Sequence, residues 1–249
     1  MDDVRALALR LANGEDGVLD DLYEAIHESQ GCPGCKCSTI GELRKIEVCK
    51  GQRTAEWKLK RRHMVTASES ATVLGQNPYE TANSLLKKKL GLTTFHGNKF
   101  TQHGQTMESA AIERYETETG HTVESFGLLV SPNEPWLGGS PDGITRCGRL
   151  IEVKCPVTRP IVLGEVPRHY MAQMQQLLHI TGLQVCDFVE MKGPEEFQIV
   201  EVKRDSDWWR ENKDKLQAFH KRLEECFEDP SLAPRPRKRK KKAPKFDFG

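Results

Sequence analysis

No apolar run in this 249-residue chain approaches the roughly 20 residues that a membrane-spanning helix requires. The N-terminal stretch MDDVRALALRLANGEDG also lacks the features of an export signal. Acids stand where bases are needed, and Arg5 and Arg10 interrupt the apolar positions. An intracellular protein with no membrane partner is expected. No internal repeat or heptad array is present, which argues against solenoids and coiled coils. Without an export signal, the eight cysteines are expected in a reducing compartment as thiols, not disulfides.

What is present is ordinary in bulk and uneven in detail. With 37% hydrophobic and 29% charged residues, the chain has the composition of a globular protein large enough for one sizeable core. The net charge of +1 conceals an asymmetry. Eight bases lie between Arg235 and Lys245, and setting them aside leaves the remainder at −7. Such a tail is expected to be a solvated arm that binds phosphates non-specifically or serves as a nuclear address. Localisation is then nuclear in a nucleated host and otherwise cytoplasmic.

The pattern divides the chain into three parts: an N-terminal extension at 1–51, a main domain at 52–228 and the basic tail at 229–249. In the extension, residues 3–12 and 17–29 have helical periodicity. In the main domain, helices are expected at about 67–74, 101–119 and 168–181, each ended by a glycine. Strands are expected at 122–130, 136–144, 149–155, 185–191 and 197–203. A final helix runs through SDWWRENKDKLQAFHKRLEECFED. Helices flanking a run of strands indicate an α/β domain with a central mixed sheet.

One stretch places charge where a strand should bury side chains: GSPDGITRCGRLIEVKCP, Gly139 to Pro156. Along LIEVKCP, Glu152 and Lys154 share one face, and Ile151, Val153 and Cys155 share the other. TRCGR is short enough to fold the preceding strand back, bringing Asp142 beside Glu152 and Lys154. Burying two carboxylates and an ammonium costs several kcal/mol per ion unless something compensates. A hard divalent cation with oxygen ligands would do so. A solvated Glu–Lys pair on a surface hairpin is the plain alternative. In HGQTMESAAIERYETETG, Glu108 shares a helical face with Ala111, Ile112 and Tyr115, so a third acid falls on a buried stripe or at its rim. In WKLKRRHMVTASE, Thr66 and Glu69 have the spacing of a capping box. Ser68 and the nearby Arg61 and Arg62 would make that helix start a phosphate pocket, or else an ordinary cap beside a basic run. In YMAQMQQLLHITG, Gln173 shares a face with Tyr170 and Leu177, while His169 and His179 are too far apart to form a metal pair.

In order and spacing, WKLKRRHMVTASE, HGQTMESAAIERY, GSPDG, IEVKCP and YMAQMQ resemble the phage lambda exonuclease and the viral-type recombinase (YqaJ-like) exonucleases of the PD-(D/E)xK nuclease superfamily. The resemblance covers roughly residues 52–205. It implies a restriction-endonuclease-like core that hydrolyses linear duplex DNA from a 5′ end and leaves a 3′ single strand. It implies Mg2+ or Mn2+ bound by Asp142, Glu152 and the Val153 carbonyl, with Lys154 as catalytic lysine and Glu108 serving a metal site directly or through water. Arg61, Ser68, Ser140 and Gln173 fall on positions that contact the terminal 5′ phosphate or its neighbours. His63 replaces a glycine of the phage enzyme, which leaves the register open between Arg61 and Arg62. A single-strand annealing partner and a ring-shaped trimer are further implications. An endonuclease of the same fold, or a DNA-binding protein with an idle nuclease fold, are the alternatives.

Outside the resemblance, Cys32, Cys35, Cys37 and Cys49 have the spacing C-x2-C-x-C-x11-C. Four thiolates suit zinc or an iron–sulfur cluster. The spacing is irregular for zinc, and superfamily clusters use cysteines on both sides of the core, so free thiols are the alternative.

Overall fold

The computed structural model describes residues 40–93 and 99–234, together with Arg10. The two helices expected at 3–12 and 17–29, Cys32, Cys35, Cys37 and the basic tail from Arg235 lie outside that set, apart from Arg10. No helix among the described residues is long and apolar enough to cross a membrane.

The chain forms α1 (Ile40–Lys45), β1 (Glu47–Cys49), α2 (Ala55–Arg62), β2 (Val65–Thr66), a 3-10 turn (Ala67–Glu69), α3 (Ser70–Val73) and α4 (Ala82–Lys89). The elements α5 (Lys99–Thr119), β3 (Val123–Glu124), β4 (Leu128–Val130), β5 (Leu137–Gly139), β6 (Gly143–Thr145) and β7 (Arg149–Lys154) follow. The body closes with α6 (Arg168–Thr181), β8 (Val185–Lys192), β9 (Glu196–Lys203) and α7 (Ser206–Glu228). The strands build a five-stranded sheet, β3-β6-β7-β8-β9, and a four-stranded one, β1-β4-β5-β2. Both are mixed: β7 and β8 are parallel, as are β2 and β5, and the other pairs are antiparallel.

Strand β7 shows why the sheet lies between helices. Its side chains alternate. Leu150 joins the core with Leu177 and Leu178 of α6, whereas Ile151 and Val153 pack with Ala111 and Tyr115 of α5. Helices therefore cover both faces, as the α/β expectation requires. Gly120 and Gly182 end α5 and α6 at φ 73° and 74°, a left-handed conformation that glycine adopts without strain.

Two expected strands are in fact broken. The run 122–130 divides at Ser125–Gly127 into β3 and β4, and the run 136–144 divides at Ser140–Asp142 into β5 and β6. In both cases the chain leaves one sheet and joins the other. Pro141 contributes to the second break, since it has no N–H for a ladder. Gly139 precedes it where α6 lies so close that a Cβ would sit 2.6 Å from Leu177 Cδ2.

The expected boundary at residue 52 does not coincide with a break in packing. Leu43 of α1 belongs to the larger core, and β1 pairs with β4. Nothing in the polar segment 40–51 marks it as part of a sheet. Helices α2 and α4 were likewise not anticipated.

The second sheet is fixed to α6 by one buried amide. Gln176 Nε2 donates to the carbonyls of Val65 (3.0 Å) and Gly138 (3.1 Å), on adjacent strands, while its Oε1 accepts from the Ser70 hydroxyl. Gln176→Ala leaves these buried groups without partners. A loss of about 2–4 kcal/mol is expected in chemical denaturation. A loss below about 0.5 kcal/mol would show that the network does not hold the layers together.

Candidate active site

Asp142 stands at the crossover between the two sheets, and Glu152 and Lys154 stand on β7. The pairing Gly143↔Ile151 carries Asp142 to the position opposite Glu152. Asp142 Oδ2 accepts the Val153 N–H at 2.7 Å. Glu152 is fully buried. Its Oε1 accepts from Lys154 Nζ and, at 2.6 Å, from Gln173 Nε2 of α6. Its Oε2 is buried and has no hydrogen-bond partner.

The electrostatics follow from this enclosure. Burial, reinforced by the charges of Glu152 and Glu108, pushes the Asp142 carboxyl up to about 8, despite Lys154 and the Val153 N–H. Burial also raises Glu152, with Lys154 opposing. Burial alone would lower Lys154, but Glu152 and Asp142 outweigh it and hold the ammonium protonated beyond the usual lysine range. Cys155, partly buried beside the same acids, has its thiol pushed up to about 11 by burial first and then by Glu108 and Asp142.

Glu108 reaches the group from α5. Ala111 and Tyr115 of its helical stripe are fully buried, while its own side chain is 25% exposed, at the rim of the apolar face. Its Oε2 accepts from Arg53 Nη2 at 2.9 Å. The three acids thus converge closely enough to affect one another. Among the described residues, however, no three His, Cys, Asp or Glu side chains form a ready coordination shell. Arg53 instead holds Glu108, and mutual repulsion opposes closer approach of the acids. The donor chemistry nevertheless suits a hard divalent cation: two buried carboxylates, one with an unpartnered oxygen and the other favouring its proton despite the Lys154 charge.

The phosphate-pocket candidates adjoin this group through Ser140. Arg61 Nη2 donates to Ser68 Oγ at 2.9 Å and to Thr66 Oγ1 at 3.1 Å. Arg62 instead turns to the carbonyls of Lys89 and Leu90, so the Arg61 register is the one that faces Ser68. Glu69 closes the expected capping box by accepting the Thr66 N–H at 3.0 Å, and it pairs with the buried Lys89 at 2.8 Å. Gln173, expected at the phosphate or its neighbours, donates to Glu152.

Three residues of the site were missed in the sequence. Trp57 Nε1 donates to Ser140 Oγ at 2.8 Å, and the Arg61 guanidinium lies 4.0 Å from its ring centroid, so one indole joins both sides of the pocket. The Trp57–Arg61 spacing of four on a helix was the available signal. Gln52 and Arg53 gave no comparable signal. Cys49, one of the four cysteines weighed as a metal site or as free thiols, is buried on β1 and forms no disulfide among the described residues; Cys32, Cys35 and Cys37 lie outside the described residues.

Residues 56–184 match the YqaJ-like viral recombinase domain. The chain is 32% identical to an alkaline exonuclease (LHK-Exo) from Laribacter hongkongensis, with a TM-score of 0.61, over 72% of this chain and 96% of that one. The same exonuclease solved with dAMP gives 33% identity and a TM-score of 0.61, over 70% and 95%. These structures share the α/β fold described above. Uncharacterized protein R354 of Acanthamoeba polyphaga mimivirus is 30% identical over 159 residues, 57% of this chain. The matched region spans 29% of that longer relative.

The buried Asp142 carries a pH signature. The folded, metal-free protein keeps its proton up to about pH 8, whereas an unfolded aspartate loses it near about pH 4. Unfolding therefore releases a proton in this window, and the group's contribution to stability falls as pH rises through it. Asn carries no such penalty and can still accept the Val153 N–H. In chelator, Asp142→Asn should melt higher than the parent by a margin that widens between about pH 5 and about pH 8.5. A margin that is flat or shrinks with pH would show that Asp142 is not a buried, proton-holding acid.

Proposed function

We propose that this chain, which belongs to the YqaJ-like viral recombinase domain family, is a Mg2+-dependent exodeoxyribonuclease that hydrolyses linear duplex DNA from a 5′ end and leaves a 3′ single strand. One observation carries the reading. Asp142, Glu152 and Lys154 converge at a sheet crossover with one glutamate oxygen buried and unpartnered. The anion pocket of Arg61, Ser68 and Ser140 begins two residues away.

Asp142, Glu152 and the Val153 carbonyl would hold the cation, with Glu108 nearby, directly or through water. When bound, it polarises the scissile phosphate and acidifies an attacking water. Lys154 keeps its proton and presents a positive Nζ toward charge developing on the phosphate. Gln173 fixes the Glu152 carboxylate, and the Val153 N–H fixes Asp142, so neither must reorganise during reaction. Arg61, Ser68 and Ser140 bind the terminal 5′ phosphate, with Trp57 orienting both Arg61 and Ser140. This sets the strand polarity and favours a nucleoside monophosphate product. LHK-Exo has been solved with such a molecule, dAMP.

Duplex DNA with a free end is then the substrate, and a single-strand annealing protein is the partner suited to the 3′ strand. A trimer around the duplex would suit repeated cleavage. The Arg235–Lys245 bases act as a DNA tether and, in a nucleated host, as a nuclear address.

Incubation of end-labelled linear duplex and of closed circular DNA with Mg2+ or EDTA tests the reading. The linear form alone should be digested, and only with Mg2+. Lys154→Ala and Asp142→Ala should each lose at least about 100-fold in rate while remaining folded. Arg61→Ala should lose preference for 5′-phosphorylated ends. Cleaved circles would indicate an endonuclease, and full activity in both catalytic variants would overturn the site.

A further inference from the structure

The loop between β1 and α2, with Lys50, Gly51, Gln52 and Arg53, lines a cleft of about 710 Å3 that Glu108 and Asp142 also line. The loop is firmly held. Gln52 Nε2 donates to the Phe126 carbonyl at 3.0 Å and to the Pro141 carbonyl at 2.8 Å, tying it to both crossovers between the sheets. Gly51 lies at φ 79°. Arg53 lies at φ 67°, the one non-glycine with positive φ among the described residues. A long, charged residue held in the left-handed region is an outlier that the surrounding structure must maintain.

Lys50 and Arg53 line this cleft together with Glu108 and Asp142, and Arg53 Nη2 reaches Glu108 Oε2 at 2.9 Å. Lys50 is exposed and has no ion pair or side-chain hydrogen bond among the described residues. Arg53 has Glu108 as its partner, in a pair whose side chains are 49% and 25% exposed. Such a pair is weak and readily exchanged. Arg44, also in the cleft, is already engaged by Glu47 at 2.8 Å, by the Ser125 carbonyl at 3.0 Å and by the Phe126 ring at 3.8 Å. Two cations are thus available beside acids suited to a metal ion. A phosphodiester supplies the anion, and guanidinium binds it bidentately.

We infer that Lys50 and Arg53 form a second phosphate subsite, which takes the DNA backbone phosphate next beyond the scissile one, and that Arg53 leaves Glu108 to bind it. The inference rests on the nuclease reading and deepens it. The terminal phosphate then lies on the Ser140 side of Asp142, and the phosphate beyond the scissile one on the Glu108 side. DNA binding then releases Glu108 toward the metal site, linking the two events.

The experiment measures binding of 5′-phosphorylated linear duplex by fluorescence anisotropy, in EDTA and across a salt series. The proteins are the parent, Lys50→Ala, Arg53→Gly and the double variant. Glycine suits φ 67°, so Arg53→Gly removes the charge without straining the backbone. Each single variant should bind roughly three- to tenfold more weakly at fixed salt, and should lower the slope of log affinity against log salt by about 0.9. The double variant should lower it by about twice that. Slopes and affinities equal to the parent's in both single variants would overturn the subsite. If Arg53→Gly fails to fold, Lys50→Ala, which removes no contact, decides alone. Digestion by the parent in Mg2+ is followed in parallel. A parent that digests DNA while the variants bind unchanged removes only the subsite, and a parent that neither binds nor digests removes both readings.

Discussion

The site depends on a single costly act, the complete burial of Glu152. An ionised carboxylate withdrawn from water costs several kcal/mol unless hydrogen bonds and opposite charge offset it. The protein offsets half of the cost. Oε1 receives the Lys154 ammonium and the Gln173 amide, while Oε2 receives nothing. A purely structural ion pair would satisfy both oxygens. The half-satisfied state is one that a cation between Glu152 and Asp142, as proposed, would complete. Other features follow from that requirement. The β6–β7 hairpin sets Asp142 opposite Glu152, and α6 passes close enough over Gly139 to bring Gln173 within reach.

The two crossovers between sheets give the site its place. Each breaks a strand and frees backbone groups that a continuous ladder would have used. Gln52 accepts that consequence on behalf of both, bonding the Phe126 and Pro141 carbonyls with one amide. Trp57 does comparable work one helix later, joining Ser140 to Arg61. The carbonyl before Asp142 and the hydroxyl before Pro141 are thus both restrained by the segment 52–57. Functional groups that hang from a switch between sheets would otherwise be loosely placed.

How far this was legible follows from the range of each interaction. Alternation along Leu150–Cys155 has period two and needs no tertiary knowledge, so the Glu152–Lys154 face and its apolar reverse were readable. The glycine stops of α5 and α6 are equally local. The ordered motifs made the family resemblance readable and with it Arg61, Ser68 and Ser140. The breaks at Ser125–Gly127 and Ser140–Asp142 were not, because an apolar run that changes sheets looks like one that stays. Gln52 and Arg53 were hidden for a different reason. Their partners lie 55 to 89 residues away, and an Arg in the left-handed region contradicts local preference. Gln173 was assigned to the phosphate by analogy of position, but its nearest acceptor is the Glu152 carboxylate.

The charge balance at the site explains why Glu108 stands apart. Three carboxylates and one ammonium cannot remain together in a low-dielectric setting with nothing else to balance them. Two separate devices relieve the excess. Asp142 favours its proton up to about 8, and Arg53 comes across the cleft to Glu108. On the proposed reading, a divalent cation would carry the two positive charges that the proton and the guanidinium otherwise provide. Asp142 would, on the same reading, give up its proton where a cation is held with Glu152, and Glu108 would be released where Arg53 takes a DNA phosphate. On that reading, substrate and cation are expected to favour one another, since each would replace a counter-charge of the same group of acids. Neither effect requires a moving domain. The loop that carries Arg53 is already fixed by Gln52, so one side chain and one proton suffice for the exchange.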